Sequence, residues 1–299
     1  MTSDPRAFAP WILALLDWYA EHGRQLVIRA TRDPYPIWVG EVMSQQTRIG
    51  RVGTALPPFL DRFPSIPDLA AASTADVIRA WGGLGYPRRA VALRDAARVM
   101  VERHAGEVPR TIDELEALPG IGPYTARAVA ATAFGIPVTA LDVNARRVLG
   151  RALDGAPLPG PVSPRGLARA DALAPVGRAA EWNHALMDLG ASICGADPDC
   201  AACPIRRWCA YAMDGSRPMM PARLTPAATP FRETNRYVRG RVLAALRDSP
   251  AGAWVEIDPQ VLSIAAARLE RAVGELAAEG LVEVREDVRA PWGARLANG

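Results

Sequence analysis

CGADPDCAACPIRRWC, from Cys194 to Cys209, contains every cysteine of the 299-residue chain, with gaps of five, two and five residues. So many thiols in so short a stretch argue for a metal site over disulfides in a reducing compartment. A zinc site commonly pairs two C-x2-C knuckles across a longer loop. Here a single C-x2-C, Cys200 to Cys203, is flanked by one cysteine on each side. That compact wrap suits a cuboidal 4Fe-4S cluster with one thiolate per iron, zinc being the competing occupant. Pro204, Ile205 and Trp208 are placed to shield the site, and Arg206 and Arg207 to face a polyanion.

The surrounding chain is that of a globular protein. Hydrophobic residues make up 49%, and no run of 18 apolar residues suggests a membrane span. The start, MTSDPRAFAP, lacks the basic and apolar regions of a secretory signal, so the expected location is cytoplasmic, at the nucleoid when acting on DNA. The net charge is +3, and all 35 basic residues are arginine. With no lysine in the chain, no lysine side chain exists to form a Schiff base.

Hydrophobic periodicity predicts helices over 7–20, 37–47, 74–80, 88–103, 112–118, 124–134, 143–153 and 178–193, with Thr111 and Glu114 as a capping box. No alternating strand pattern precedes residue 230, so the body reads as all-α. The proline-rich stretch 215–233 reads as a linker. Beyond it, helices are expected at 236–246, 258–267 and 269–280, and LVEVRE (281–286) begins a β-hairpin. Three helices and a hairpin make a winged-helix-like domain over 234–299, after a body of 1–214.

Two motifs upstream of the cysteines carry chemistry. In LPGIGPYTA (118–126), Gly120 and Gly122 let the chain turn tightly between two helices and present N–H groups that can hold a phosphate. In LDVNARRVL (141–149), Asp142 sits at a helix N-terminus, where free N–H groups and the dipole keep a carboxylate ionised. Alone, the first could be an ordinary inter-helix turn and the second a simple N-cap.

Together these stretches resemble the helix–hairpin–helix DNA glycosylase superfamily, on its iron–sulfur branch with endonuclease III and the MutY-type adenine DNA glycosylases. EVMSQQT (41–47), WGGLGYPRRA (81–90), LPGIGPYTA, LDVNARRVL and NHALMDLGASIC (183–194) are similar to MutY-type motifs, over roughly residues 8–212. The resemblance implies a two-lobed helical fold, and a 4Fe-4S cluster on Cys194, Cys200, Cys203 and Cys209. The implied partner is double-stranded DNA carrying a mispair or lesion, bound by a monomer. It implies catalytic roles for Glu41, Asp142, Asn144 and Tyr124: Glu41 as proton donor and activator of water, Asp142 as the anion beside the sugar. Endonuclease III-type enzymes carry a lysine at the position of Tyr124, so the resemblance implies a monofunctional glycosylase of base excision repair. The expected substrate is adenine opposite 8-oxoguanine or guanine, flipped out of the duplex. Gln45 and Gln46 match residues that probe the helix, and Tyr86 matches a wedge. Arg48, Arg88 and Arg89 are candidate phosphate contacts.

Four departures stand out. The first cysteine gap has five residues where the family has six. Ser44 replaces a leucine and Ile28 an aromatic of the base pocket, whereas Arg29 and Asp188 match pocket positions. Residues 234–299 are too short and too helical for the family's Nudix-like domain; as a winged helix they would bring Arg236, Arg239 and Arg241 to DNA. The alternatives are therefore a paralogue removing another mispaired or damaged base, and a non-catalytic DNA-binding protein. Retention of both Glu41 and Asp142 argues against the second.

Overall fold

A computed structural model describes residues 9–156, 158, 160–214, 229–285 and 292–298, with the side chain of residue 292 excluded. The chain divides into two compact units. The first comprises Met1–Glu41, Arg110–Ala117 and Ile121–Arg223, the second Val42–Pro109, Leu118–Gly120 and Leu224–Gly299, so the division falls within one helix, just after Glu41.

Along the chain, α1 (Pro10–His22) is followed by α2 (Pro34–Ser44), α3 (Ile49–Arg62), α4 (Ile66–Ala71), α5 (Thr74–Trp81) and α6 (Arg88–Arg103). Then come α7 (Ile112–Glu116), α8 (Pro123–Phe134), α9 (Val143–Asp154), α10 (Pro164–Asp171), α11 (Ala179–Ser192) and α12 (Ala210–Met213). The last part holds α13 (Asn235–Arg247), β1 (Val255–Ile257), α14 (Pro259–Leu262), α15 (Ala266–Ala278), β2 (Val282–Val284) and β3 (Trp292–Leu296). The fold is predominantly helical, with one small sheet among the described residues.

In the first unit, α1, α9 and α11 share a core of Leu15, Leu16, Val148, Trp182, Leu186 and Leu189. Gly190 lets α9 and α11 approach closely: a Cβ there would lie 2.6 Å from the Cβ of Asn144. Asp142 caps α9, its Oδ1 accepting from the Ala145 N–H at 2.7 Å.

In the second unit, Ile78 of α5 belongs to the same core as Val238, Val242 and Leu246 of α13 and Leu269, Val273 and Leu276 of α15. The spacing of both sets is that of one buried helix face. The sheet runs in the order β1-β3-β2, entirely antiparallel, with Val255 opposite Ala294 and Val282 opposite Leu296. Helix, strand, two helices and two strands make the winged-helix-like order. The short β1 was not expected from sequence. Of the expected linker, residues 215–228 lie outside the described residues, and Phe231–Glu233 form a 3-10 turn.

The hairpin glycines divide the work unequally. Gly120 adopts φ +75°, and a Cβ there would lie 2.8 Å from Ala92. Gly122 caps α8 at φ −101°, with nothing within 4 Å of an added Cβ. The turn itself requires only Gly120, whereas a bare Gly122 leaves the start of α8 open to approach.

Candidate active site

Helix α2 is apolar nearly all round, with Ile37, Trp38, Val39, Val42 and Met43 buried, and Glu41 is buried among them at 7% exposure. Among the described residues its carboxyl makes no side-chain hydrogen bond. Burial pushes it up to about 7, opposed by the Arg29 guanidinium and reinforced by the Asp142 carboxylate. A carboxyl titrating near neutrality can hold a proton and also give it up.

The charges of Glu41 and Asp142 also reach Tyr124, whose hydroxyl is raised well above its ordinary value, chiefly by burial. That hydroxyl contacts the Met187 sulfur at 3.7 Å. Asn144 donates to Asp142 Oδ2 at 2.9 Å and is itself held by Arg147, which donates to Asn144 Oδ1 at 2.7 Å. The same guanidinium donates to the carbonyls of Gly190 at 2.6 Å and Cys194 at 2.7 Å. Asp142 is thus fixed through Asn144 and Arg147, whose guanidinium is anchored on the carbonyl of Cys194 in the cysteine loop.

Beside this cluster lies a buried ion pair. Arg29 donates through Nη1 and Nη2 to the two oxygens of Asp188, at 2.8 and 3.0 Å. Arg24 adds its backbone N–H at 2.9 Å and its Nε at 2.7 Å. Burial alone raises the Asp188 carboxyl, but the bonds from Arg29 and Arg24 outweigh it and hold it below the usual range. Burial pushes His184 down to about 3, the Arg29 charge adding to the effect, so the imidazole is neutral at physiological pH. The Tyr19 hydroxyl lies 3.4 Å from its Nδ1. Ile28 is buried in the 3-10 turn Val27–Arg29.

The structure therefore gathers Glu41, Asp142, Asn144, Tyr124, Arg29 and Asp188 in the first unit. Ser44, Gln45, Gln46, Arg48, Tyr86 and Arg88 belong to the second, with Ser44 and Gln45 half-buried and Gln46, Arg48, Tyr86 and Arg88 exposed. Gln46 and Tyr86 both have left-handed backbones, at φ 52° and 49°, and the Gln45 amide donates to the Gly120 carbonyl at 3.3 Å.

Three arginines named as candidate DNA contacts have partners within the protein. Arg89, expected at phosphate, is half-buried and donates to the carbonyls of Val42 at 3.1 Å and Met43 at 3.0 Å, closing the C-terminal end of α2. Arg239 is bound by Glu275 and Glu279 at 3.4 and 2.6 Å, so its charge is compensated. Arg241 donates to the Tyr237 hydroxyl at 3.3 Å. The supporting roles of Arg24, Arg147, Arg151 and His184 were missed. Only the position of His184 one turn before Asp188 on α11 hinted at a shared face.

The four cysteines line one apolar pocket, about 360 Å³ when its opening to solvent is included, with Val148, Leu189 and Ile205 among its walls. As a free thiol, Cys203 is pushed up to about 11, mainly by burial and further by its three neighbours. A bound cation reverses such a shift. Arg151, 1% exposed, places Nη1 3.4 Å from the Cys194 sulfur and donates to the carbonyl of Gly195 at 2.6 Å. Among the described residues, no three His, Cys, Asp or Glu side chains come together closely enough to hold a single metal ion.

Residues 39–157 match the family described as HhH-GPD superfamily base excision DNA repair protein. The fold and the site thus define a helix–hairpin–helix protein of base excision repair. The adenine DNA glycosylase of Mycolicibacterium smegmatis is 40% identical over 285 residues, spanning 92% of this chain and 93% of its own. That of Mycobacterium tuberculosis is 43% identical over 281 residues, spanning 92% and 91%. The chain belongs to the adenine DNA glycosylase family. Among solved structures, a thermostable thymine-DNA glycosylase superposes with a TM-score of 0.64 at 28% identity, over 68% of this chain and 95% of that one. An endonuclease III in a non-covalent DNA complex gives 0.57 at 23% identity over 69% and 95%, a likeness of fold. No helix among the described residues is long and apolar enough to cross a membrane.

Proposed function

We propose that this protein is a monofunctional DNA glycosylase that hydrolyses the N-glycosidic bond of adenine extruded from a mispair with 8-oxoguanine or guanine. The observation that carries the reading is the buried Glu41 carboxyl, raised to about 7 within reach of the Asp142 charge. Its relatives' names supply the substrate.

Glu41 donates its proton to a ring nitrogen of the extruded purine. The bond between sugar carbon and base nitrogen then breaks, and its electron pair leaves with the neutral base. The sugar acquires oxocarbenium character, which the Asp142 carboxylate stabilises. Asn144 and the Ala145 N–H keep that carboxylate oriented. Water adds to the sugar carbon, and its proton returns to Glu41. With tyrosine at 124 and no lysine in the chain, no lysine imine forms, so strand cleavage by that route does not accompany base release.

The cysteine pocket fits a 4Fe-4S cluster held by Cys194, Cys200, Cys203 and Cys209. Four thiols lining one apolar space and the compact spacing of the cysteines, with a single C-x2-C flanked by one cysteine on each side, support the cluster over zinc. When bound, such a cluster supplies the cross-link of the loop whose Cys194 carbonyl accepts from Arg147.

Duplex DNA is the partner, with Gln45, Gln46, Tyr86, Arg48 and Arg88 on its reading surface and the N–H groups at Gly122 on its backbone. A preference for a base other than adenine is the second reading, favoured by serine at 44 and isoleucine at 28, where the MutY-type pattern has a leucine and an aromatic. Single-turnover release from duplexes carrying A, U, T or hypoxanthine separates the two. The Glu41→Gln variant tests the mechanism. It is expected to bind mispaired duplex as tightly as the parent and to release adenine about 10³-fold more slowly. Undiminished release would sink the assignment.

A further inference from the structure

Two exposed side chains of the second unit share an unusual backbone. Gln46 and Tyr86 have φ of 52° and 49°, and among the described residues only Ala105 and Ser263 besides them have a positive φ without being glycine. Such a backbone is costly off glycine and persists only where its surroundings impose it. Gln46 is exposed and the Tyr86 side chain is 39% exposed, so burial of these side chains does not impose it. Arg236 meets the Tyr86 hydroxyl at 3.0 Å, a contact with the tip of the ring that leaves the backbone unexplained.

One guanidinium lies between the two turns. Through Nη1, Arg89 donates to the carbonyls of Val42 at 3.1 Å, Met43 at 3.0 Å and Gln45. Through Nη2 it donates to Thr47 Oγ1 and to the Gly85 carbonyl, both at 3.0 Å. Gln46 is therefore bracketed by an acceptor on each side. Tyr86 is bracketed by the Gly85 carbonyl and by its own, which accepts from the Arg89 N–H at 2.9 Å. The guanidinium also lies 5.5 Å from the centre of the Tyr86 ring and 5.2 Å from that of Trp81. Trp81 is 2% exposed and donates its indole N–H to the same Gly85 carbonyl at 3.0 Å. A planar fork serves both turns at once, which a single ammonium point charge does not.

We infer that Arg89 is a positioning residue that couples the Gln45–Thr47 turn to the Tyr86 turn, so that Gln46 and Tyr86 enter the duplex as one element when a nucleotide is extruded. The inference rests on the glycosylase reading. Extrusion opens a gap in the base stack, which inserted side chains fill. Two side chains held by one set of donors are oriented before they meet DNA, and neither turn has to find its strained backbone as the duplex opens. Moving either turn pulls on the guanidinium that holds the other. The effects of truncating the two side chains are therefore not independent while Arg89 is in place.

The test uses the full chain and a duplex with 2-aminopurine beside the mispaired adenine, whose fluorescence rises on unstacking without any bond being cut. Gln46→Ala and Tyr86→Ala are each expected to slow that rise about tenfold. Their double variant should fall short of the product of the two effects by about fivefold or more. In an Arg89→Lys background, which keeps the charge without the fork, the two effects should multiply to within about twofold. A merely structural Arg89 would slow every variant alike and leave the shortfall in place. Multiplying effects in the parent, an equal shortfall in both backgrounds, or a parent that leaves the fluorescence unchanged overturns the inference. Should Arg89→Lys melt early, Thr47→Val, which removes one acceptor of Nη2 and keeps the side chain's shape, decides by the same criteria. Single-turnover adenine release keeps the two readings apart. A parent that releases no adenine from the mispair overturns the glycosylase reading, while the fluorescence cycle still decides the coupling.

Discussion

The Glu41 cluster and the cysteine pocket are both built against α9, yet they treat buried charge in opposite ways. Around Glu41 a carboxyl is buried beside another carboxylate, with no side-chain hydrogen bond of its own among the described residues. Around the cysteines, the buried Arg151 and the half-buried Arg147 of that helix donate to loop carbonyls. An unsatisfied buried carboxyl costs stability and persists where chemistry uses it. A loop of irregular backbone held by arginines, with four thiols turned inward, is a frame completed by its occupant. The difference separates a site that is poised from one that is loaded.

Emptying the frame should have the largest effect. Cys203→Ser is expected to lose iron, bleach the broad visible absorbance and destabilise the protein by about 3 kcal/mol or more. Iron analysis and thermal melting measure both. Full stability without iron would mean that the arginines alone hold the loop, and the contrast with Glu41 would vanish.

Glu41→Gln sharpens the other side. The Glu41 carboxyl titrates near 7 in the folded protein and near 4.5 when unfolded. The folded state therefore holds the extra proton between those values, and stability falls as pH rises through 7. Replacing the carboxyl by a neutral amide removes that loss. Glu41→Gln should melt above the parent at pH 8, by up to about 3 kcal/mol, with the advantage gone below about pH 4.5. Base release by the parent should fall as pH rises above about 7. A variant no more stable than the parent at pH 8 would show that Glu41 is not buried as a charge.

Much of this was legible in the sequence. The motifs at 41–47 and 141–149 locate Glu41 and Asp142, and regular apolar spacing located α1, α5, α6, α9 and α11 closely. What was missed has identifiable causes. Pro57 and Pro58 lie inside α3 and read as breakers. Helix α10 starts at Ser163–Pro164, a sound N-cap and first-turn proline, but it is short and mostly exposed. Strand β1 has three residues, too few for a period. The arginines failed for another reason. Arg24 and Arg29 meet Asp188 across separations of 164 and 159 residues, so no local pattern announces the pair. Arg89 and Arg239 look like free cations in one dimension and become bound ones in three.

Gly190 links the two regions, since α9 passes it at the residue that orients Asp142. An alanine Cβ would come within 2.6 Å of the Asn144 Cβ and 3.0 Å of its Cα, so Asn144 must move. Gly190→Ala is expected to cost about 1–3 kcal/mol of stability and to slow adenine release about tenfold. Duplex affinity should be unchanged. Thermal melting, single-turnover release and equilibrium binding separate these effects. Normal release despite lower stability would show that the orientation of Asp142 does not depend on this contact.

The smallest effect concerns arginines that differ in partners rather than in sequence. Arg88 is exposed and unpaired among the described residues, whereas Arg239 is 18% exposed between Glu275 and Glu279. A phosphate can draw on the first directly; drawing on the second means breaking ion pairs already made. Arg88→Ala should weaken binding to any duplex and lower the salt dependence by about one counterion. Arg239→Ala should leave affinity within about twofold and the salt slope unchanged. The two variants differ by a single charge from the same parent, so net charge cancels from the comparison. Equal losses would mean that DNA opens the Arg239 pairs, and that the C-terminal helices change their charge partners on binding.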